Sequence, residues 1–229
     1  ANHYLLTGIL REEWGFEGYG VSDWGATNDR VEDLNAGMDL EMPTSNGYND
    51  KKIIRAVEDG ILDETVLDKT VERILKVVFS YADHQNPEAV FDRERDHEKA
   101  VTIETQCAVL LEKNGILPLA KGQRVAYIGE FAKSPRYQGG GSSHINASKV
   151  VSALEAATTK GRAISYSKGF SAERDEMTQQ ELEAACTAAA EAEVAVIFAG
   201  LPEIFESEGY DRSSMKLPEC QNKLIDEVL

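Results

Sequence analysis

No stretch of this sequence approaches the ~20 uninterrupted apolar residues that a membrane-crossing helix needs. A membrane-spanning helix is therefore excluded. Cysteine is scarce: Cys107, Cys186 and Cys220 are far apart, odd in number and form no C-x-x-C pair. That pattern argues against a disulfide framework or a zinc site and reads as buried thiols in a reducing compartment. Basic residues are few as well. Lys and Arg total 24 against 40 Asp and Glu, a formal charge of -16. Nucleic acid and anionic membrane surfaces select the opposite balance, so neither is an expected partner. An acidic chain suits a neutral substrate and stays soluble. The four histidines, His3, His84, His97 and His144, show no H-E-x-x-H or His-x-His spacing. No metal and no cofactor is assigned. No signal peptide opens the chain. The expected compartment is the cytoplasm, with secretion or the periplasm left open because Ala1 already lies inside what reads as a helix.

The 229 residues suffice for one large domain or two modest ones, and 42% hydrophobic with 28% charged residues is a globular composition. Residues 2–14 place Leu5, Leu6, Ile9 and Leu10 at helical spacing. Gly15 turns the chain into a short strand, Tyr19 to Ser22, which ends at Asp23. Asn28 and Asp29 are capping types ahead of a helix that Gly37 suits as terminator. MDLEMP (38–43) reads as a second short strand. Lys51 to Glu58 reads as a helix with Ile53, Ile54 and Val57 inward. Asp63 caps a longer helix with Leu67, Val71, Ile74, Leu75 and Val78 on one face. Residues 82–97 are polar and aperiodic, as a linker would be. A helix over Glu98 to Lys113 follows, with Asn114-Gly115 as its C-cap.

Beyond that point apolar runs alternate with helices. The runs are Arg124 to Ile128, Ala163 to Ser167 and Val194 to Ala199. The helices are Lys149 to Thr158, Thr178 to Ala192 and one from Pro218 to Leu229. This rhythm implies an α/β fold with a mostly parallel sheet and helical crossovers. Three strands are few for a finished sheet, so both ends of the chain are expected to be cut.

Three segments hold candidate chemistry. Asp23 lies in GYGVSDWGA, at the C-terminal end of a strand. It reads either as a turn or cap residue or as a nucleophile or metal ligand at a barrel mouth. Trp24 beside it is either a core residue or a platform for the apolar face of a sugar. Glu206 and Glu208, in FESEGYDR, follow an apolar run, where α/β sheets bind ligands. The bland alternative is a solvated acidic loop. Gly139 to Ser143 (GGGSS) lacks the spacing of a phosphate-binding loop and fits a flexible loop shaping a pocket. Asn146-Ala147-Ser148 matches a glycosylation sequon, expected to be fortuitous in a cytoplasmic protein.

Five segments, taken in order, resemble glycoside hydrolase family 3. They are LLTGILREEWGFEGYGVSDWGA (5–26), AGMDLEMP (36–43), AVLLEKNGILPL (108–119), GGGSS (139–143) and ESEGYDRSSMKLPECQNKLI (206–225). The resemblance implies the C-terminal part of a (β/α)8-type barrel over residues 1–81 and a connection over 82–112. It implies the first part of an α/β sandwich over 113–229, with the active site between barrel and sandwich. It makes Asp23, in S-D-W-G, the catalytic nucleophile. It puts the acid/base on the loop at 206–208, Glu206 first and Glu208 second. Trp24 and Arg212 become substrate-binding residues, with Asp211 beside them as a residue fixing the loop.

The implied activity is retaining hydrolysis of terminal β-D-glucosyl residues, with an oligosaccharide or glycoside as partner and a homo-oligomer possible. β-Xylosidase and α-arabinofuranosidase activities occur in the same family, as does N-acetylglucosaminidase activity, which this acidic loop disfavours. The barrel strands that grip the terminal sugar do not precede Ala1, so this stretch is expected to be inactive alone. The rivals are a non-catalytic carbohydrate-binding or interaction fragment and, on fold analogy only, a nucleotide-binding α/β domain.

Overall fold

The computed structural model describes residues 1–229. The chain divides into two compact units, Ala1–Cys107 and Ala108–Leu229.

The first unit is helical. A π-wound helix, Tyr4–Glu13, opens it. The winding is visible at its end, where the Trp14 amide bonds the Ile9 carbonyl, five residues back. Helix α1 (Arg30–Ala36) is fixed at both ends by its sequence. The Asp29 carboxylate accepts the amides of Val31 and Glu32, and Gly37 closes the helix in the left-handed conformation at φ 99°. Helices α2 (Tyr48–Glu58) and α3 (Glu64–His84) follow, the latter capped by Asp63. Leu34, Ala56 and Leu62 form the core, with Ile53, Val57 and Leu67 packed around it.

Several expectations fail in this unit. Tyr19–Ser22 and 38–43 are not strands: they share one parallel bridge, Val21 to Leu40. Ile54 faces out, and Ala56 takes the inward place. On α3 the expected inward residues Val71, Leu75 and Val78 are exposed, and Thr70 is the buried one. Only the start of α3, at Val66 and Leu67, meets the core. Helix α4 spans Arg93–Cys107. It starts earlier than the sequence suggests because the Asp92 carboxylate accepts the amides of Glu94 and Arg95. It also ends well short of Asn114-Gly115, and Cys107 is exposed rather than buried.

The second unit is α/β. Strands β1 (Val125–Ile128), β2 (Ile164–Ser167) and β3 (Val194–Ile197) form a parallel sheet in the order β2-β1-β3. Helices α5 (Ala153–Thr159) and α6 (Gln179–Glu191) precede β2 and β3, and α7 (Glu219–Val228) closes the chain. Helix α6 begins with a full capping box: the Thr178 hydroxyl accepts the Glu181 amide, and the Glu181 carboxylate accepts the Thr178 amide. Ala126, Ile128, Phe170, Leu182, Ala185 and Leu224 make the core between sheet and helices. The central strand β1 is therefore covered, as a parallel strand must be. The loop after β3 runs from about Ala199 to Pro218 and carries the acidic segment.

Candidate active site

Candidate residues lie in both units, and each group is described within its own unit.

In the first unit, Asp23 ends a segment fastened along one side only. The Ser22 amide donates to the Leu40 carbonyl at 2.9 Å. The Ser22 hydroxyl donates to the Met42 carbonyl at 3.2 Å and accepts the Met42 amide at 2.8 Å. The Gly25 amide donates to the same Met42 carbonyl at 2.9 Å. Asp23 is thus held between two anchored neighbours, and its own carboxylate accepts the Trp24 amide at 2.7 Å. The carboxylate is exposed, as is the Trp24 ring at 73%. Trp24 is not part of the core of this unit.

Beneath this segment lies a charge cluster that the sequence did not disclose. Asp39 is 2% exposed. Its Oδ2 accepts Arg11 Nη2 at 2.5 Å and the Gly20 amide at 2.7 Å, and its Oδ1 accepts Arg73 Nη1 at 2.9 Å. Arg30 donates to the carbonyls of Met38 and Asp39 at 3.0 and 2.6 Å. Burial pulls the Arg30 guanidinium below its ordinary value, against the raising effect of Glu41, Asp33, Asp39 and Asp50. The one local signal was a carboxylate between Met38 and Leu40, in a segment otherwise fit for burial.

In the second unit the glycine segment and the acidic loop interlock. Gly140 and Ser207 form a parallel bridge, and Ser207 pairs in turn with Tyr210. The Ser142 amide donates to Glu208 Oε2 at 2.6 Å. This contact, through both the side chain and the backbone of Ser142, holds the Glu208 carboxyl below the ordinary carboxylate range. Glu206 is held differently. Arg136 Nη1 reaches its Oε2 at 3.3 Å, and Arg136 Nη2 reaches its backbone carbonyl at 3.3 Å. The same guanidinium also donates to the Leu201 carbonyl at 3.1 Å. The Tyr210 hydroxyl donates to the Ile204 carbonyl at 2.9 Å and closes the loop on itself.

Glu206, Glu208, Asp211, Arg212 and Gly140 line one cleft of about 510 Å³. Arg212 is exposed at its edge, with Nη2 3.3 Å from Met215 Sδ. The GGGSS segment thus helps shape this cleft, as the sequence suggests, and it also seats the acidic loop. Arg136 went unremarked in the sequence, because it lies far from the acidic loop along the chain.

Comparison with known proteins matches the two units to two domains of one family. Residues 1–77 match the glycosyl hydrolase family 3 N-terminal domain, and residues 108–229 match the C-terminal domain of the same family. The chain is 46% identical to thermostable beta-glucosidase B of Acetivibrio thermocellus, over 99% of its own length and 31% of that protein. It is 39% identical to an exo-alpha-(1->6)-L-arabinopyranosidase of Bifidobacterium longum, over 99% of its own length and 31% of that protein. Among solved structures it superposes on a family 3 beta-glucosidase of Bifidobacterium adolescentis with a TM-score of 0.92. That match has 38% identity and covers 99% of this chain and 33% of that one. The chain therefore spans about a third of the length of the relatives it matches. It belongs to glycosyl hydrolase family 3.

Proposed function

We propose that the gene-length protein is a retaining glycosidase that removes terminal β-D-glucosyl residues, with Asp23 as nucleophile. One observation carries this reading: Asp23 is an exposed carboxylate held between two neighbours pinned to 40–42, within a match to the family's N-terminal domain. The chemistry is a double displacement. The Asp23 carboxylate attacks the anomeric carbon while a carboxylic acid protonates the departing glycosidic oxygen. The same second group then takes a proton from water, which attacks the anomeric carbon and frees Asp23. Two carboxyls about 5–5.5 Å apart are required for this outcome. Trp24 offers a ring to the sugar, and Arg212 offers hydrogen bonds from the cleft edge. Residues 1–81 are read as the end of a (β/α)8-type barrel, 82–112 as its connection and 113–229 as the start of an α/β sandwich.

For the acid/base we take Glu208 ahead of Glu206, the first choice on sequence, because the Arg136 guanidinium occupies the Glu206 carboxylate. Glu206 is also tied through its backbone, as a brace is. The Glu208 carboxylate is instead engaged by Ser142. Azide separates the two. With Glu208→Ala, azide is expected to restore turnover of a dinitrophenyl glucoside and yield a glucosyl azide; with Glu206→Ala it is expected not to. The reverse pattern exchanges the two roles.

The deciding experiment is aryl β-D-glucoside hydrolysis by the gene-length protein, wild type against Asp23→Asn. A loss of roughly 10³-fold or more is expected for removal of a nucleophile. Equal turnover refutes the assignment. Aryl α-L-arabinopyranosides belong in the same assay, because an arabinopyranosidase is among the relatives. Preference for them keeps the mechanism and changes the sugar. The 229-residue chain by itself is expected to be silent on all of these substrates, and robust turnover by it contradicts that expectation.

A further inference from the structure

The 20–25 segment has hydrogen-bonded neighbours on one side only. On its other side Val21 is exposed, and no ladder runs. Pairing with 39–42 sets its register, but that pairing alone leaves both short segments free to shift together. Arg30 of α1 bonds the Met38 and Asp39 carbonyls and Asn49 of α2 bonds Glu41, but the side chain that joins both segments to the helices is that of Asp39. Its carboxylate joins the Gly20 amide to Arg11 of the π-wound helix and to Arg73 of α3. The Gly20 carbonyl returns the contact by accepting the amides of Asp39 and Leu40 at 3.0 and 2.9 Å. The Asp39 side chain therefore bonds the base of the segment whose tip is Asp23, without lying at the tip itself.

We propose that Asp39 is a positioning residue: by joining Arg11, Arg73 and the Gly20 amide, it sets the place and direction in which the 20–23 segment presents the Asp23 carboxylate. This rests on Asp23 being the nucleophile. Asp39 carries the only negative charge bonded to the two guanidinium groups, and Arg30 adds a third on its backbone side. Replacing the carboxylate by an amide keeps the shape and removes that charge. The guanidinium groups then lose their shared partner, and the Gly20 end of the segment loosens. A displacement of about 1 Å at a reacting group costs on the order of 100-fold in rate. Binding of a sugar that does not react should not sense this shift.

The test uses the gene-length protein and 2-deoxy-2-fluoro-β-D-glucosyl fluoride, which labels the nucleophile and stalls there. Three quantities are read: the first-order labelling constant, the final label per protein and the inhibition constant of glucose. For Asp39→Asn we expect the labelling constant to fall roughly 100-fold. Full final labelling and a glucose constant within about 2-fold of wild type are expected, since uniform binding is untouched. An unchanged labelling constant overturns the proposal. So does a glucose constant that weakens in step with it, which marks general damage.

If Asp39→Asn does not accumulate as folded protein, Arg73→Gln is read in the same way. Its side chain is a quarter exposed, so the change is milder. A roughly 10-fold fall with unchanged glucose binding supports the proposal, and no fall overturns it. Wild type that takes no label removes the functional reading and this proposal with it. Labelled wild type beside an unaffected Asp39→Asn removes this proposal alone.

Discussion

The carboxylate of Glu208 is bonded to the backbone amide of Ser142 at 2.6 Å, and Gly141, next to Ser142, leaves no room for any side chain there. A Cβ on Gly141 would lie 2.5 Å from Glu208 Cβ and 2.7 Å from Oε2. The glycine run thus exists to bring backbone close to an acid, which a side chain at that position would prevent.

That contact sets up a paired substitution. Gly141 also sits at φ +87°, where an L side chain is strained. Gly141→Ala is expected to cost about 1–3 kcal/mol and to lower kcat/KM of the gene-length protein at least 10-fold. Gly139→Ala is the control, since its Cβ meets Ser143 Oγ at an ordinary 3.6 Å. It is expected to stay within about 0.5 kcal/mol of wild type. Thermal unfolding and glucoside kinetics on both variants check this. Equal effects contradict it.

The capping box of α6 predicts a pH dependence. The Thr178 amide, the Thr178 hydroxyl and Lys168 all favour the ionised form of Glu181, and together they outweigh its partial burial, so its carboxyl lies below the ordinary range. A carboxyl lowered by folding contributes stability above its unfolded pKa and loses it as pH falls through the folded value. Glu181→Gln should therefore cost about 1 kcal/mol at pH 7 and little at a pH below the carboxylate range. Urea unfolding of both proteins at the two pH values measures this. A cost independent of pH excludes the carboxylate as its source.

The thiols should separate by reactivity. Burial, reinforced by the nearby Asp175 carboxylate, pushes the Cys220 thiol up to about 12. Cys107 is exposed. The thiolate is the reacting form. At pH 8 iodoacetamide should modify Cys107 at least ~100-fold faster than Cys220, as followed by peptide mass spectrometry. Comparable rates contradict the burial of Cys220.

Much of the second unit was legible in the sequence, because each element there announces itself locally. VAYI, ISYS and VAVI are short apolar or β-favouring runs, and parallel strands covered by helices need little more. Thr178 and Glu181 mark a helix start by spacing alone. The first unit resisted the same reading. Tyr19–Ser22 and 38–43 have strand composition, but they pair through one isolated bridge, Val21 to Leu40, a tertiary circumstance that no local pattern records. Val71, Leu75 and Val78 have helical spacing without a covering surface within this chain.

The candidate site divides in the same way. Asp23 and the two glutamates stood out by motif and by position. Asp39 and Arg136 did not, because each is defined by partners distant along the chain. The glycine run was visible, but its purpose depended on which loop came to lie against it.

The strand order β2-β1-β3 has a consequence for how the chain is made. Synthesis delivers the central strand first, and it must remain unpaired until a helix and β2 have emerged, and again until α6 and β3 have followed. Parallel pairing between such distant segments is slow, because the loops must close before any contact rewards them. The Gly140–Ser207 bridge depends on the last of these steps. The cleft therefore assembles only after β3 and the loop beyond it have emerged, and a polypeptide halted before that loop still lacks it.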